Sequence, residues 1–195
     1  MNEDLVDEIE DMIDLLAKSG FFNSDEILEI LEDQFIEEEI DFSGFDISHN
    51  NFSDVNFNKL DEVFKGLTGQ NIVCVHNCGY DIEEGVSDVF ELFVHLKNNG
   101  FEPIGFCFYT FEDVEEAIND ETLKITFGDF ENSESKALNI GKTVANALKQ
   151  EFDISWDVSI NQQIKITPFK WDKSFRDDAD FEIEGAYNVF TGEVE

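Results

Sequence analysis

Apolar side chains first recur at helical spacing: Leu5, Ile9, Met12 and Leu16 fall three or four apart, with Lys18 and Gly20 following as a last-turn cation and a cap. This predicts a helix over about residues 3–18. In FFNSDEILEILEDQF, Asn23 reads as an N-cap, Glu26 as its capping-box partner and Phe22 as a staple onto Ile27, so a second helix is expected to run to about residue 39. Together they predict an antiparallel helical hairpin. From residue 71 strands and helices alternate. NIVCVH and PIGFCFYT are continuous apolar runs, TLKITFG is a third strand, and FDISWDV and QQIKITPF are two more. Between them VSDVFELFVHLKNNG, FEDVEEAIND and ESKALNIGKTVANALKQEF carry helical patterns, the last with Ile140, Val144 and Leu148 on one face. The expected class is α+β (or α/β): an N-terminal helical hairpin, then a mixed sheet with packed helices and an antiparallel edge.

Residues 40–59 fit neither period. Phe42, Ile47, Phe52 and Phe57 are spaced five apart with Asp or Asn before each, which resembles the pentapeptide-repeat pattern of a square β-helix. Twenty residues make about one coil, and a solenoid needs several to bury its face. The competing expectation is a turn-rich connector pinned by its aromatic residues, leading to a short helix at LDEVFKGL. After Trp171, Phe181 and Ile183 alternate with acids, predicting a short hairpin, an edge strand or an acidic tail. The expected division is an acidic helical region with connector over 1–66, an α/β core over 67–171 and an acidic segment over 172–195, forming one compact unit.

Composition narrows the partners more than the fold. The 195 residues include 46 Asp and Glu against 12 Lys and Arg, a formal charge of −34, with 21 Phe to fill a core. Residues 1–66 carry 20 acidic and 3 basic side chains, 67–170 carry 18 and 7, and 171–195 carry 8 and 2. Such a field repels phosphate and anionic lipid, so neither nucleic acid nor membrane is expected as a partner. A basic protein partner fits, and an inhibitor or immunity-type role follows as the leading functional expectation. The acidic start MNEDLVDEIEDM is unlike a secretory signal, and Cys74, Cys78 and Cys107 are an odd, sparse set, so reduced thiols and a cytoplasmic location are expected.

HNCGYDIEEG, GFCFYTFEDVEEAI, LKITFG, the Ile140–Gly141 pair followed by Val144 and Leu148, and Trp156 together resemble an uncharacterised family of bacterial proteins known only as a domain of unknown function. The likeness spans about residues 20–171 and implies no activity. Thr110, Glu112 and Glu116 stand where that pattern often has His, Gln and Arg.

The residues themselves allow several chemistries. Cys74, His76 and Cys78 are too close on one strand and lack a second ligand arm, so no metal is expected. Cys78 as a nucleophile precedes a helix and lies near His76, but acidic surroundings raise a thiol. No phosphate-cradling glycine motif occurs, and DFSGFDISHNNF lacks calcium-loop ligands. No cofactor is expected. The alternative to a binding protein is a small enzyme or ligand-binding protein with a pocket at the HNCGY and FYT strand ends. There His76, Tyr80, Tyr109 and Asp113 are the candidate catalytic residues and Asn77, Glu83 and Glu84 the candidate ligand-binding ones. The plainer expectation is a turn made by Asn77, Gly79 and Gly85, with Tyr80 and Tyr109 closing the core.

Overall fold

The computed structural model describes residues 3–38, 40–49, 52–177 and 180–193. Residue 39 of the expected second helix, residues 50–51 of the connector, and residues 178–179 and 194–195 of the acidic C-terminal segment lie outside the described residues. The chain divides into two units, one drawn from residues 1–55 and 172–178 and the other from 56–171 and 179–195.

In the first unit α1 (Glu3–Ser19) and α2 (Ser24–Gln34) pack on each other, burying Ile9, Ile13 and Leu16 of one helix and Ile27 and Leu31 of the other. Asn23 caps α2 in a full capping box with Glu26, as the sequence predicts. Past Gln34 the chain tightens into a 3₁₀ turn at Ile36–Glu38 rather than continuing as α-helix. The described residues of 40–54 hold a second 3₁₀ turn at Phe42–Gly44 and no strand, which is a connector and not a β-coil. Residues 172–177 return to this unit. Ser174 N–H donates to Asp54 Oδ1 at 2.6 Å and Asp54 N–H to the Asp172 carbonyl at 2.9 Å. Buried Lys173 donates to the Gly20 carbonyl and lies 4.5 Å from the centre of the Phe21 ring.

The second unit is a five-stranded sheet in the order β1 (Ile72–Val75), β2 (Gly105–Phe108), β3 (Leu123–Gly128), β5 (Ile164–Ile166), β4 (Ile154–Ser155). β1 and β2 are parallel and every other pairing is antiparallel, giving the mixed sheet and antiparallel edge that the pattern predicts. Five helices accompany it: α3 (Val55–Thr68), α4 (Ile82–Asn98), α5 (Phe111–Asp120), α6 (Glu134–Leu148) and α7 (Ile183–Thr191). Alternation along the strands divides the core between two faces. Val73, Val75, Phe106 and Phe108 join Val89, Leu92 and Leu96 of α4 in one cluster. Gly105 and Phe127 meet α6, where a side chain on Gly141 would lie 2.4 Å from the Phe127 ring. The buried pair Cys74 and Cys107 also faces this second side, with sulfurs 3.4 Å apart as free thiols.

In place of the expected C-terminal hairpin, edge strand or tail, Ile183–Thr191 forms a helix. Ile183, Ala186, Tyr187 and Phe190 are spaced i, i+3, i+4, i+7 and pack on the β1–α4 cluster, so the 3.6-residue period prevails over the short alternation of Phe181 and Ile183 with acids.

Candidate functional site

The strand-end motifs form one double turn. β1 ends at Val75 and the chain reverses through Asn77 (φ 49°) and Gly79 (φ 70°), both left-handed; Asn tolerates this region and Gly is unhindered in it. Cys78 N–H then donates to the Tyr109 carbonyl at 2.8 Å, Phe111 N–H to the Gly79 carbonyl at 3.0 Å and Glu112 N–H to the Tyr80 carbonyl at 3.1 Å. The two motifs therefore stitch the ends of parallel strands β1 and β2 together. Asp81 caps α4 by accepting from Glu84 N–H at 3.0 Å, and Thr110 caps α5 in a box with Asp113. Gly79 and Gly85 let these turns close: a side chain on either would fall within 2.6 Å of backbone.

Beneath the turn lies a buried polar chain. His76 Nδ1 is 2.9 Å from the Tyr109 hydroxyl, and His76 Nε2 is 3.4 Å from Asp61 Oδ1 on α3. Phe57, Phe64 and Phe181 surround the imidazole, Phe64 stacking on it at 4.6 Å between ring centres. Tyr109 is fully buried. Burial, then the charges of Asp61 and Glu182, push its hydroxyl well above the usual phenol range, so it stays protonated. Burial pushes Asp61 upward too, but hydrogen bonds and charge from His76 and Lys65 outweigh it and hold the carboxyl below its ordinary value. A cavity of about 30 Å³, near the size of one water molecule, borders Asp61, His76 and Phe181.

Of the seven sequence candidates, only His76 and Tyr109 join this chain directly. Asn77 touches its border: its Nδ2 donates to Glu182 Oε1 at 2.7 Å, while its buried Oδ1 has no hydrogen-bond partner among the described residues. Tyr80 turns outward, 57% exposed and stacked on Phe111. Glu83 is exposed in the first turn of α4, and Glu84 accepts from Tyr80 N–H at 2.6 Å. Asp113 is the inner partner of the α5 cap, and Gln163 Nε2 reaches both of its oxygens at 3.3 Å. The single seven-residue pocket thus divides into a buried His–Tyr pair, an exposed helix start and a capping carboxylate. Asp61 and Glu182 are the members that sequence reasoning missed. Asp61 sits beside Glu62 in a helix with no distinguishing motif, and Glu182 is 105 residues from Asn77.

Cys78 donates to the Gly85 carbonyl at 3.4 Å, and burial followed by the charges of Asp88, Glu182 and Glu84 drives its thiol far above the ordinary range. That is the environment of an inert core thiol. Among the described residues no cluster of three or more His, Cys, Asp or Glu is arranged to hold a metal ion, and no helix is long and apolar enough to cross a membrane.

Asp113 gives a signed pH prediction. Burial raises its carboxyl despite hydrogen bonds from Thr110 and Gln163 and the charge of Lys124. Its folded value thus lies above the unfolded one, and its contribution is fully present below about pH 4 and lost as pH rises through the folded value. Asp113→Asn keeps an acceptor for the Thr110 N–H. It is therefore expected to gain stability relative to the parent between about pH 4 and pH 7. Urea melts of both proteins at the two pH values check this, and a difference of zero or opposite sign rejects burial as the dominant effect.

A mixed sheet closed by paired strand-end turns, with the His–Tyr pair buried beneath them, defines an α+β protein. The chain belongs to the family described as a domain of unknown function (DUF6891), whose model matches residues 49–175. No curated protein and no solved structure matches it. The matched stretch contains α3 to α6 and the whole sheet, and it leaves α1, α2 and α7 outside.

Proposed function

We propose that this protein acts through its surface, as an acidic inhibitor-like or immunity-like protein that binds a basic protein partner. The observation carrying this reading is the state of the carboxylates in α1, α2 and the turn after them. All 14 Asp and Glu side chains of the described residues 3–38 are exposed, and Lys18, the one Lys or Arg among them, is 2.5 Å from Asp14. An unneutralised field of this kind steers a cationic surface and weakens steeply with salt. The His76–Tyr109 pair supports the same reading, since burial keeps both from a substrate arriving from solvent.

The test is affinity capture from the source cell at about 50 mM and about 300 mM salt, where screening lengths differ more than twofold. The full chain is compared with a variant in which Asp7, Glu8, Asp11 and Asp14 become amides. A basic protein retained by the parent at low salt and lost by both the variant and the high-salt wash is the expected result. Capture of nothing, or of partners indifferent to salt and to the amide changes, rejects it.

The second reading, a small enzyme or ligand-binding protein at the strand ends, rests on the Asp61–His76–Tyr109 chain, whose order matches a general-base arrangement. It requires a measurable activity or ligand that Tyr109→Phe abolishes while circular dichroism stays unchanged.

A further inference from the structure

The second unit also has a concavity away from the strand ends. It is an open trough of about 1140 Å³ between α4 and α7. Its floor is apolar. Phe90 and Val94 of α4 are one helical turn apart and 38% and 54% exposed, and Ile183 and Tyr187 of α7 are likewise one turn apart. The α4 row is exposed and the α7 row is half-buried against the core, and apolar side chains gathered along one trough mark a contact surface more than isolated ones do. The rim is acidic: Glu91, Glu184 and Glu193 border the trough, and among the described residues no Lys or Arg lines it. The next carboxylate along α4, Asp88, is raised first by burial and then by the charges of Glu84 and Glu91, so negative charge on this helix is not relieved locally.

Shape argues against a small ligand. Pockets for such molecules bury most of the ligand surface, whereas this trough, at the upper end of their size range, is open to solvent. The 17 residues of α4 give it a length of about 25 Å, matched to about five turns of a second helix lying alongside. We infer that the α4–α7 trough is a docking site for a cationic amphipathic helix of a protein partner. Apolar residues of that helix at i, i+3, i+4 and i+7 would cover Phe90, Val94, Ile183 and Tyr187 while its Lys and Arg meet Glu91, Glu184 and Glu193. Charge complementarity selects this occupant over a second copy of the chain, whose own net charge of −34 opposes self-association. The inference rests on the basic-partner reading and adds to it the site and the partner's secondary structure.

The probe is a fluorescein-labelled Leu/Lys peptide of about 18 residues, long enough for five turns, with leucines on one helical face. The control is an isomer of the same composition with leucines scattered so that no face forms. Fluorescence anisotropy with the full chain at about 50 mM salt should show the amphipathic peptide binding at least about 10-fold more tightly, a difference of about 1.4 kcal/mol. Val94→Ser, at an exposed helix position, should erase that preference with circular dichroism unchanged. Glu184→Gln should weaken the amphipathic peptide a few-fold and flatten its salt dependence. Equal binding of both peptides, indifferent to Val94→Ser, overturns the trough but leaves the acidic-surface reading intact. So does self-association on sedimentation that Val94→Ser abolishes, because the trough then serves a second copy. Binding of neither peptide also overturns the trough; the broader reading falls only if the capture experiment fails as well.

Discussion

Gly85→Val should leave little folded protein at physiological temperature, whereas Gly66→Ala should raise the melting point. Gly85 lies in the first turn of α4, where even a methyl group would stand 2.5 Å from the Cys78 carbonyl and 2.6 Å from the Phe108 ring. The carbonyl belongs to the strand-end turn and the ring to the core of β2, so neither can retreat without disturbing the other. Overpacking of this kind typically costs 1–3 kcal/mol, and a branched side chain pressed on both groups is expected to cost about 4 kcal/mol or more. At Gly66, an exposed position within α3, an added methyl group would meet nothing within 4 Å, so alanine contributes only its helix preference, about 1 kcal/mol of stabilisation. For a domain of this size each kcal/mol moves the midpoint by about 2–4 °C. Thermal melts of the two variants with opposite signs verify the packing account; a tolerated valine at 85 refutes it.

The second large effect is in the polar chain. Tyr109→Phe withdraws the hydroxyl that meets His76 Nδ1 in a fully buried setting, and the expected loss is about 1–3 kcal/mol, chiefly the penalty for stranding the imidazole nitrogen. His76→Phe removes the other partner and should cost a similar amount through Tyr109 and Asp61. The double substitution is expected to fall short of the sum by about 1–2 kcal/mol, since apolar rings then replace both polar partners within an aromatic surround. Denaturant titration of the four proteins measures the coupling. Strict additivity would mean that the 2.9 Å contact contributes nothing to folding.

Much of this fold is legible in the chain itself. β1 and β2 are continuous apolar runs, β3 alternates apolar with polar residues, and Asn23 and Thr110 cap the helices they precede through side-chain chemistry that operates locally. The pairing of His76 with Tyr109 is half visible, because both follow parallel strands whose ends must lie together. Their companions are not. Tyr80 leaves the pair because the left-handed Gly79 turns the chain outward, and Asp113 is drawn off by the cap it forms with Thr110. Asp61 and Glu182 arrive from elements whose neighbours only tertiary packing decides. For α7, the spacing of Ile183, Ala186, Tyr187 and Phe190 is present but short, and the flanking acids imitate a two-residue period.

α7 has one further bearing. β1 is an outer strand of the sheet, the backbone N–H just beyond it is taken by the Phe181 carbonyl at 3.3 Å, and Ala186 of α7 is packed into the β1 cluster. Unprotected outer strands recruit other chains and seed aggregation. A fragment trimmed to the family boundary at residue 175 would lose this guard, so expression of the matched stretch alone is expected to end in inclusion bodies unless the trailing segment is retained.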